Sequence, residues 1–216
     1  MTAPALSLRK GDFVTLLVGP DEEEFAVHES FITRNSDFFK AAMRKEWAEG
    51  QTCTIKLPEE TCIESFANYL NFAYHERLPT EEITIISNEG FKCTEVPYEV
   101  LGKIYVIGER MLDESVRNAV VREFIRLTTM KAPDESRRFP GESTITIIYD
   151  GTSTGSPMRR VMVDFYATLG IMTWPYKGQH PEFLEDLVED LQRKIIGQKA
   201  IRDFRGRELV AEDYLV

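Results

Sequence analysis

Short stretches near the start of the chain have the alternating or continuous apolar patterns of β-strands. Residues 12–18 and 25–27 form two apolar runs around a Gly-Pro turn and four consecutive acidic residues, which predicts a β-hairpin. Residues 52–57 alternate between apolar and polar side chains and predict a third strand. We therefore expect a small β-sheet in the first part of the chain.

Most of the remaining sequence shows the period of amphipathic helices. Ser36 is a favourable N-cap for a helix over residues 37–47, in which Phe39, Met43 and Trp47 recur every four residues before a glycine ends it. Further helices are expected over residues 62–74, as a pair between 98 and 127, and after the prolines at positions 157 and 181.

Two polar stretches divide this pattern. Residues 75–94 are expected to be the least ordered connection in the first half, and residues 131–142, with two prolines, predict a linker. Beyond the linker, the β-branched run over residues 143–149 predicts a strand. The sequence therefore predicts an α+β domain over residues 10–130 and a C-terminal α/β extension over residues 143–216, built as strand, helix and helix.

The net charge and the cysteines of the chain limit the kinds of partner and bound group that we expect. The chain of 216 residues carries 36 acidic and 26 basic residues, a net charge of −10, which disfavours non-specific binding to nucleic acid. Its three cysteines have a spacing that fits neither a disulfide framework nor a zinc site. With no signal-peptide pattern and no long apolar run, we expect no membrane partner and a cytoplasmic or nuclear location.

The residue patterns that suggest catalysis are weak. His28 has Glu29 and Ser30 beside it in sequence, but it lies in an apolar junction and is interpreted as a structural histidine. The small-residue loop over residues 151–156 precedes a predicted helix and offers an alternative anion site. Glycine patterns that cradle phosphate are missing from the sequence. We expect a protein that is not an enzyme, with no catalytic residue, cofactor or metal.

Several short segments resemble the BTB/POZ domain family in their order and spacing. They are residues 12–14, 25–28, 36–39 with 42–43, 55–58, 66–74 and the helical pair from 98 to 127. The resemblance implies the BTB/POZ fold, a small β-sheet flanked by helices. Residues 148–152 and 156–160 also resemble the C-terminal part of short BTB proteins of filamentous fungi. That part of the family implies no particular activity.

The resemblance implies docking to other proteins, because the family is known for self-association, recruitment to cullin ubiquitin ligases and binding of co-regulators. Members that bind a cullin often carry a hydrophobic residue, any residue and Glu at the place where this chain has Trp47-Ala48-Glu49. Phe39 and Met43 would support that contact. The function expected is a substrate adaptor for a cullin-type ubiquitin ligase. The alternative is a self-associating or transcription-regulatory scaffold, in which Trp47 completes the core stripe and Glu49 is solvated.

Two departures from the family pattern bear on that alternative. Glu29 stands where many transcription-regulating members have Lys or Arg, so a pocket shared with Asp12 would hold two like charges. Only about ten residues precede the first strand here, whereas members that form swapped dimers have a helix and strand there. We expect no swapped dimer, while other modes of homo-oligomerisation stay open.

The C-terminal segment offers further candidate contacts. Trp174 and Tyr176 lie in a predicted loop and are secondary candidates for an exposed protein contact. A leucine stripe in the last predicted helix would either pack on its own domain or bind a partner. It consists of Leu184, Leu187, Leu191 and Ile195. The client protein that an adaptor would hold is not indicated by these residues.

Overall fold

A computed structural model describes residues 13–79, 83–86, 92–95, 98–130, 139–169 and 178–196. Fourteen strands and helices are described in these ranges. Their order is β1 (Phe13–Val18), β2 (Glu23–His28), α1 (Glu29–Asn35), α2 (Asp37–Ala42), α3 (Ala48–Thr52), β3 (Thr54–Lys56), α4 (Ile63–His75), β4 (Ile83–Ile86), β5 (Lys92–Glu95), α5 (Tyr98–Arg110), α6 (Glu114–Thr129), α7 (Glu142–Gly151), α8 (Pro157–Leu169) and α9 (Pro181–Ile196).

The first three strands form one sheet in the order β2-β1-β3. β1 pairs antiparallel with β2, placing Val14 opposite Val27, and parallel with β3, placing Leu16 opposite Ile55. These four side chains are buried, so one face of the sheet belongs to the core. The predicted hairpin and third strand are therefore confirmed, although β3 is shorter than the alternation over residues 52–57 predicts.

The polar stretch over residues 75–94 contains more regular structure than its composition predicts. β4 and β5 form a separate two-stranded antiparallel sheet, in which Ile83 lies opposite Glu95. The residue pattern does not predict these two strands, and residues 80–82 and 87–91 of the same stretch lie outside the described ranges. β4 consists of β-branched residues, which favour strands. Their backbone pairing with β5 outweighed the polar composition of the flanking sequence.

Helix α5 lies at the centre of the helical layer and contacts α4, α6 and α7. Its buried residues occupy several faces of the helix. They are Tyr98, Leu101, Gly102, Ile104, Tyr105, Val106, Ile107 and Gly108. One cluster of buried side chains extends from Val14 in β1 through α5 to Phe183 in α9. The C-terminal helices therefore share a hydrophobic core with the sheet and the helices that precede them.

The segment predicted to be a strand over residues 143–149 is a helix, α7. Its buried residues are Thr144, Ile145, Ile148 and Tyr149, a spacing that places them on one helical face. That face packs against α5. The preference of β-branched residues for strands is weak, and tertiary packing overrides it here. The described part of the C-terminal extension thus consists of three helices instead of a strand and two helices.

The crossing of α5 and α7 depends on small residues. A Cβ atom at Gly151 would lie closer than 3.0 Å to the side chain of Val106, and one at Gly102 would lie 3.5 Å from Ile147 and Ile148. At the same crossing, the hydroxyls of Tyr105 and Ser156 lie 3.2 Å apart, within hydrogen-bonding distance. The two helices therefore approach more closely at Gly151 than any larger residue permits.

The remaining two C-terminal helices begin where the sequence predicts. α8 begins at Pro157 and α9 at Pro181, as the prolines predict. Residues 131–138 of the predicted linker, with Trp174 and Tyr176, lie outside the described residues. Within the described ranges, no helix is long and apolar enough to cross a membrane.

Replacing Gly151 with Ala should destabilise the whole chain, because the added methyl group would overlap Val106. Overpacking of this kind costs about 1–3 kcal/mol, while the better helix propensity of Ala returns about 0.5–1 kcal/mol. We expect a net loss of about 1–2 kcal/mol in the free energy of unfolding, measured by urea denaturation. Gly141→Ala is the control for packing, since nothing lies within 4 Å of a Cβ there, and as the N-cap of α7 it should lose only about 0.5 kcal/mol. Equal stability of the two variants would contradict this account.

Candidate functional site

Trp47 lies in a turn outside the helix in which the sequence places it. α2 ends at Ala42, and the chain then turns through two backbone hydrogen bonds, from Arg44 N to Ala41 O at 3.2 Å and from Trp47 N to Arg44 O at 3.0 Å. Trp47 is 59% exposed, the largest value for any large hydrophobic residue in the described ranges. The interpretation of Trp47 as part of the core stripe is therefore wrong.

The turn is held in place by the short helix α3 that follows it. Trp47 is the N-cap residue of α3, and its carbonyl accepts a hydrogen bond from Gln51 N at 3.2 Å. The side-chain Nε2 of Gln51 donates to the carbonyl of Lys45 at 3.1 Å. A Cβ at Gly50 would lie closer than 3.0 Å to the carbonyl of Arg44. Gly50 is thus part of α3, where it permits this close approach, and does not end the preceding helix.

Glu49 lies two residues after Trp47, in the first turn of α3, and is exposed. A carboxylate in the first turn of a helix faces the positive end of the helix dipole, although α3 is too short for a large effect. Glu49 forms no ion pair with any residue that the structure describes. Trp47 and Glu49 therefore present an aromatic ring and a carboxylate to solvent from one constrained turn.

Phe39 and Met43 lie beneath this turn. Phe39 is fully buried, and its ring packs edge-on against Phe38 with the centroids 5.2 Å apart. Met43 is partly buried and packs against the core. Two of the four predicted contact residues, Trp47 and Glu49, are thus accessible to a partner. Phe39 is inaccessible to a partner, and Met43 packs against the core, so neither offers an exposed contact surface like that of Trp47.

The N-terminal end of α2 is tied to the corner between α5 and α6 by a buried polar network. The Ser36 hydroxyl accepts from Phe39 N at 3.2 Å, which confirms the predicted N-cap, and donates to the carbonyl of Met111 at 2.5 Å. Asp113, which pairs with Ser36 in a β-bridge, accepts from the Tyr69 hydroxyl at 3.0 Å. Burial, together with the Asp113 carboxylate, raises the pKa of Tyr69, so the phenol stays protonated.

Leu112, at this corner, is an exposed apolar residue that the sequence pattern does not single out. It is 54% exposed and has a left-handed backbone conformation, with φ of 50°. Its carbonyl accepts from Asp37 N at 3.3 Å, which places it at the opposite end of α2 from Trp47. α2 has six residues and is therefore about 9 Å long. A leucine before a helix N-cap usually packs on its own helix, so the sequence pattern does not predict this exposure.

His28 lies in an aromatic cluster and takes part in its hydrogen bonding. Its backbone N–H donates to the Tyr74 hydroxyl at 2.8 Å, and its Nδ1 lies 3.0 Å from the same oxygen. The rings of Phe13 and Phe31 lie 4.4 and 5.7 Å from the imidazole. This arrangement supports the structural interpretation of His28. Asp12, suggested as a charged neighbour of Glu29, lies outside the described residues.

The loop before α8 directs its polar groups into the protein. The Ser156 hydroxyl donates to Glu109 Oε2 at 3.2 Å. Arg159 is buried, and its guanidinium donates to the carbonyls of Tyr149 and Thr152 and to the carboxylate of Glu182. These bonds fasten α7, α8 and α9 together. The Ser156 hydroxyl and the Arg159 guanidinium, which could otherwise bind an anion, are thus engaged within the protein.

Metal and thiol chemistry offer little in the described part of the chain. No group of three His, Cys, Asp or Glu residues there is arranged to hold a metal ion. Cys62 is exposed at the N-cap position of α4, and hydrogen bonds with Ser65, helped by the charge of Lys103, lower the pKa of its thiol. A single exposed thiol does not make a catalytic site without a base or a resolving group beside it.

Comparison with known proteins places the first part of the chain in a family. The model of the BTB/POZ domain matches residues 7–88, a range that includes the sheet, the first four helices and the turn with Trp47 and Glu49. No curated protein matches the chain. The chain therefore carries a BTB/POZ domain, as its residues predict, and its fold class is α+β. BTB/POZ domains are protein-interaction folds, so a role in binding other proteins follows.

Replacing Gly50 with Ala should displace the turn that presents Trp47, because the new Cβ would overlap the Arg44 carbonyl. We expect a changed indole N–H resonance for Trp47 in NMR spectra, with a loss of about 1–2 kcal/mol in stability. The chain has two tryptophans, so Trp47→Phe assigns the resonance. In Gly141→Ala, the control, the resonance should stay where it is. An unshifted Trp47 resonance in the Gly50 variant would show that the turn does not need glycine.

Proposed function

We propose that this BTB/POZ protein is a substrate adaptor that uses Trp47 and Glu49 to bind the N-terminal region of a cullin scaffold. The observation that carries the proposal is the 59% exposure of Trp47 on a turn held by hydrogen bonds to Arg44 and from Gln51. The proposal also rests on the likeness of Trp47-Ala48-Glu49 to the pattern of cullin-binding family members. Phe39 and Met43 support the turn from below and make no direct contact.

An exposed tryptophan on a constrained turn is suited to anchor a partner. Burying a large aromatic side chain in a pocket contributes about 1.5–3 kcal/mol from its apolar area alone. Because hydrogen bonds from Trp47 N and from the backbone and side chain of Gln51 already hold the turn, little backbone entropy is lost on binding. Glu49 would then fix the register through a charge-assisted hydrogen bond to the partner.

We propose that the C-terminal helices of this adaptor bind the client protein. They share a core with α5, so they would hold a client in a fixed orientation relative to the turn with Trp47. Trp174 and Tyr176 stay predicted secondary contacts. The adaptor would be a non-enzymatic protein of the cytoplasm or nucleus, binding neither nucleic acid nor membrane. The net charge of −10 supports the exclusion of nucleic acid.

The transcription-regulatory alternative has less support. Glu29 lies in the first turn of α1 and is partly exposed, so a groove there would present a negative charge. A co-regulator peptide suited to the Lys or Arg of other members would meet the opposite sign. The exposed position of Trp47 also removes the reason for treating this residue as part of the core.

Replacing Trp47 with Ala should weaken binding to the N-terminal region of the host's cullin scaffolds by about 2 kcal/mol, roughly thirtyfold, because an aromatic anchor is lost. Isothermal titration calorimetry measures the change, with Glu49→Ala as a second, smaller perturbation. Met130→Ala serves as the matched control. It truncates another exposed apolar residue, at the end of α6, and should bind like the unchanged protein.

Two results would remove the cullin link. One is the absence of binding by the folded, unchanged protein. The other is binding that Trp47→Ala and Met130→Ala affect equally, which would place the contact elsewhere on the surface. Circular dichroism of each variant distinguishes a lost contact from a lost fold.

A further inference from the structure

Leu112 has a backbone conformation that leucine rarely adopts. It lies between α5 and α6 with φ of 50°, in the left-handed region. Its N–H donates to the carbonyl of Glu109 at 3.2 Å, and the N–H of Asp113 donates to the carbonyl of Gly108 at 2.9 Å. Many helices end with this pair of hydrogen bonds, and glycine usually occupies the position that Leu112 has here. Leucine at this position carries a steric cost that glycine would avoid.

The side chain of Leu112 does little to offset this cost within the described part of the chain. It is 54% exposed and is not among the hydrophobic side chains that pack against the core there. A leucine directly before a helix N-cap can pack against the fourth residue of that helix. In α6 this residue is Arg117, whose guanidinium lies 3.9 Å from the carboxylate of Glu109. The fold of the described residues would therefore be served at least as well by glycine at position 112.

Leu112 lies at one end of an exposed helical face. The exposed residues of α2 have the spacing of a single face, and they are Asp37, Lys40 and Ala41. At one end of this face, the N–H of Asp37 donates to the carbonyl of Leu112 at 3.3 Å. At the other end, the carbonyl of Ala41 accepts from the N–H of Arg44, which opens the turn that presents Trp47. Two exposed apolar side chains thus flank one face of a helix that is about 9 Å long.

We propose that Leu112 is a second apolar anchor for the partner that binds Trp47, and that its strained conformation is retained for this contact. The inference rests on the proposed binding of a cullin at the Trp47 turn. The partner would present apolar surface at both ends of α2 and polar groups between them, opposite the ion pair of Asp37 and Lys40.

The surroundings of Leu112 hold its backbone in place before a partner binds. Strained residues persist where neighbouring contacts fix them, and they are common at binding sites. Here the preceding carbonyl, of Met111, accepts from the buried hydroxyl of Ser36 at 2.5 Å. The N-cap residue Asp113 accepts from Tyr69 on the other side of Leu112. An anchor fixed in this way loses little backbone entropy when it is bound.

Replacing Leu112 with Gly should separate stability from binding. The change relieves the backbone strain, so the midpoint of thermal unfolding should rise by about 2 °C. The same change removes the apolar side chain, so binding to the N-terminal region of the host's cullin scaffolds should weaken about fivefold in isothermal titration calorimetry. A leucine that served the fold alone would give the opposite pair of results, a lower midpoint and unchanged binding.

Two further variants control this experiment. Glu76, at the C-terminal end of α4, is also exposed and left-handed, with φ of 55°. Glu76→Gly therefore relieves the same kind of strain without removing an apolar side chain, and it should raise the midpoint while binding like the unchanged chain. Leu112→Met keeps an apolar side chain at the anchor position and should also bind like the unchanged chain.

The failure of this inference can be told apart from the failure of the proposed function. Binding that Trp47→Ala weakens and Leu112→Gly leaves unchanged would overturn the role of Leu112 alone. A lower midpoint for Leu112→Gly would show that the leucine serves the fold, and equal weakening by Glu76→Gly would show that the effect does not come from an anchor. No binding by the folded, unchanged protein would overturn both proposals.

Discussion

Helix α5 packs against α4, α6 and α7, and the positions of the other elements follow from this enclosure. A helix surrounded in this way must be apolar on several faces, and it must allow neighbouring backbones to approach closely. Tyr105 supplies buried apolar surface, and its hydroxyl lies within hydrogen-bonding distance of Ser156 between α7 and α8. Gly102 and Gly151 allow the backbones of α5 and α7 to approach closely. The sheet and the C-terminal helices are therefore joined through one element.

The candidate site depends on the same helix through its C-terminal end. Ser36 binds the carbonyl of Met111, directly after α5, and Asp113 binds Tyr69 and caps α6. Buried polar groups of this kind are costly unless each is satisfied, so together they specify one position for α2. α2 has six residues, and the chain then turns between Met43 and Trp47. The contacts at the N-terminal end of α2 therefore help to place the Trp47 turn, although Met111 and Asp113 lie more than 60 residues away in sequence.

Local patterns predicted the elements whose signals are local. The first hairpin, the Ser36 cap and the proline starts of α8 and α9 depend on neighbouring residues, so the sequence reveals them. The helix predicted over residues 37–47 begins correctly at Asp37 but ends at Ala42, and the strand predicted over residues 143–149 is wrong, because tertiary contacts decide both. The chain must turn after Ala42 so that Cys53 can accept from Thr15 and β3 can join β1. Packing against α5 similarly selects a helix over residues 142–151.

The Trp47 turn and the C-terminal helices lie on different elements, and this separation bears on the proposed function. Trp47 belongs to the turn after α2, whereas α9 packs against α7 and α8. A cullin at the turn and a client on the C-terminal helices would therefore not compete for the same residues. One cluster of buried side chains joins these elements through α5, so such an adaptor would hold its client in one orientation relative to the scaffold.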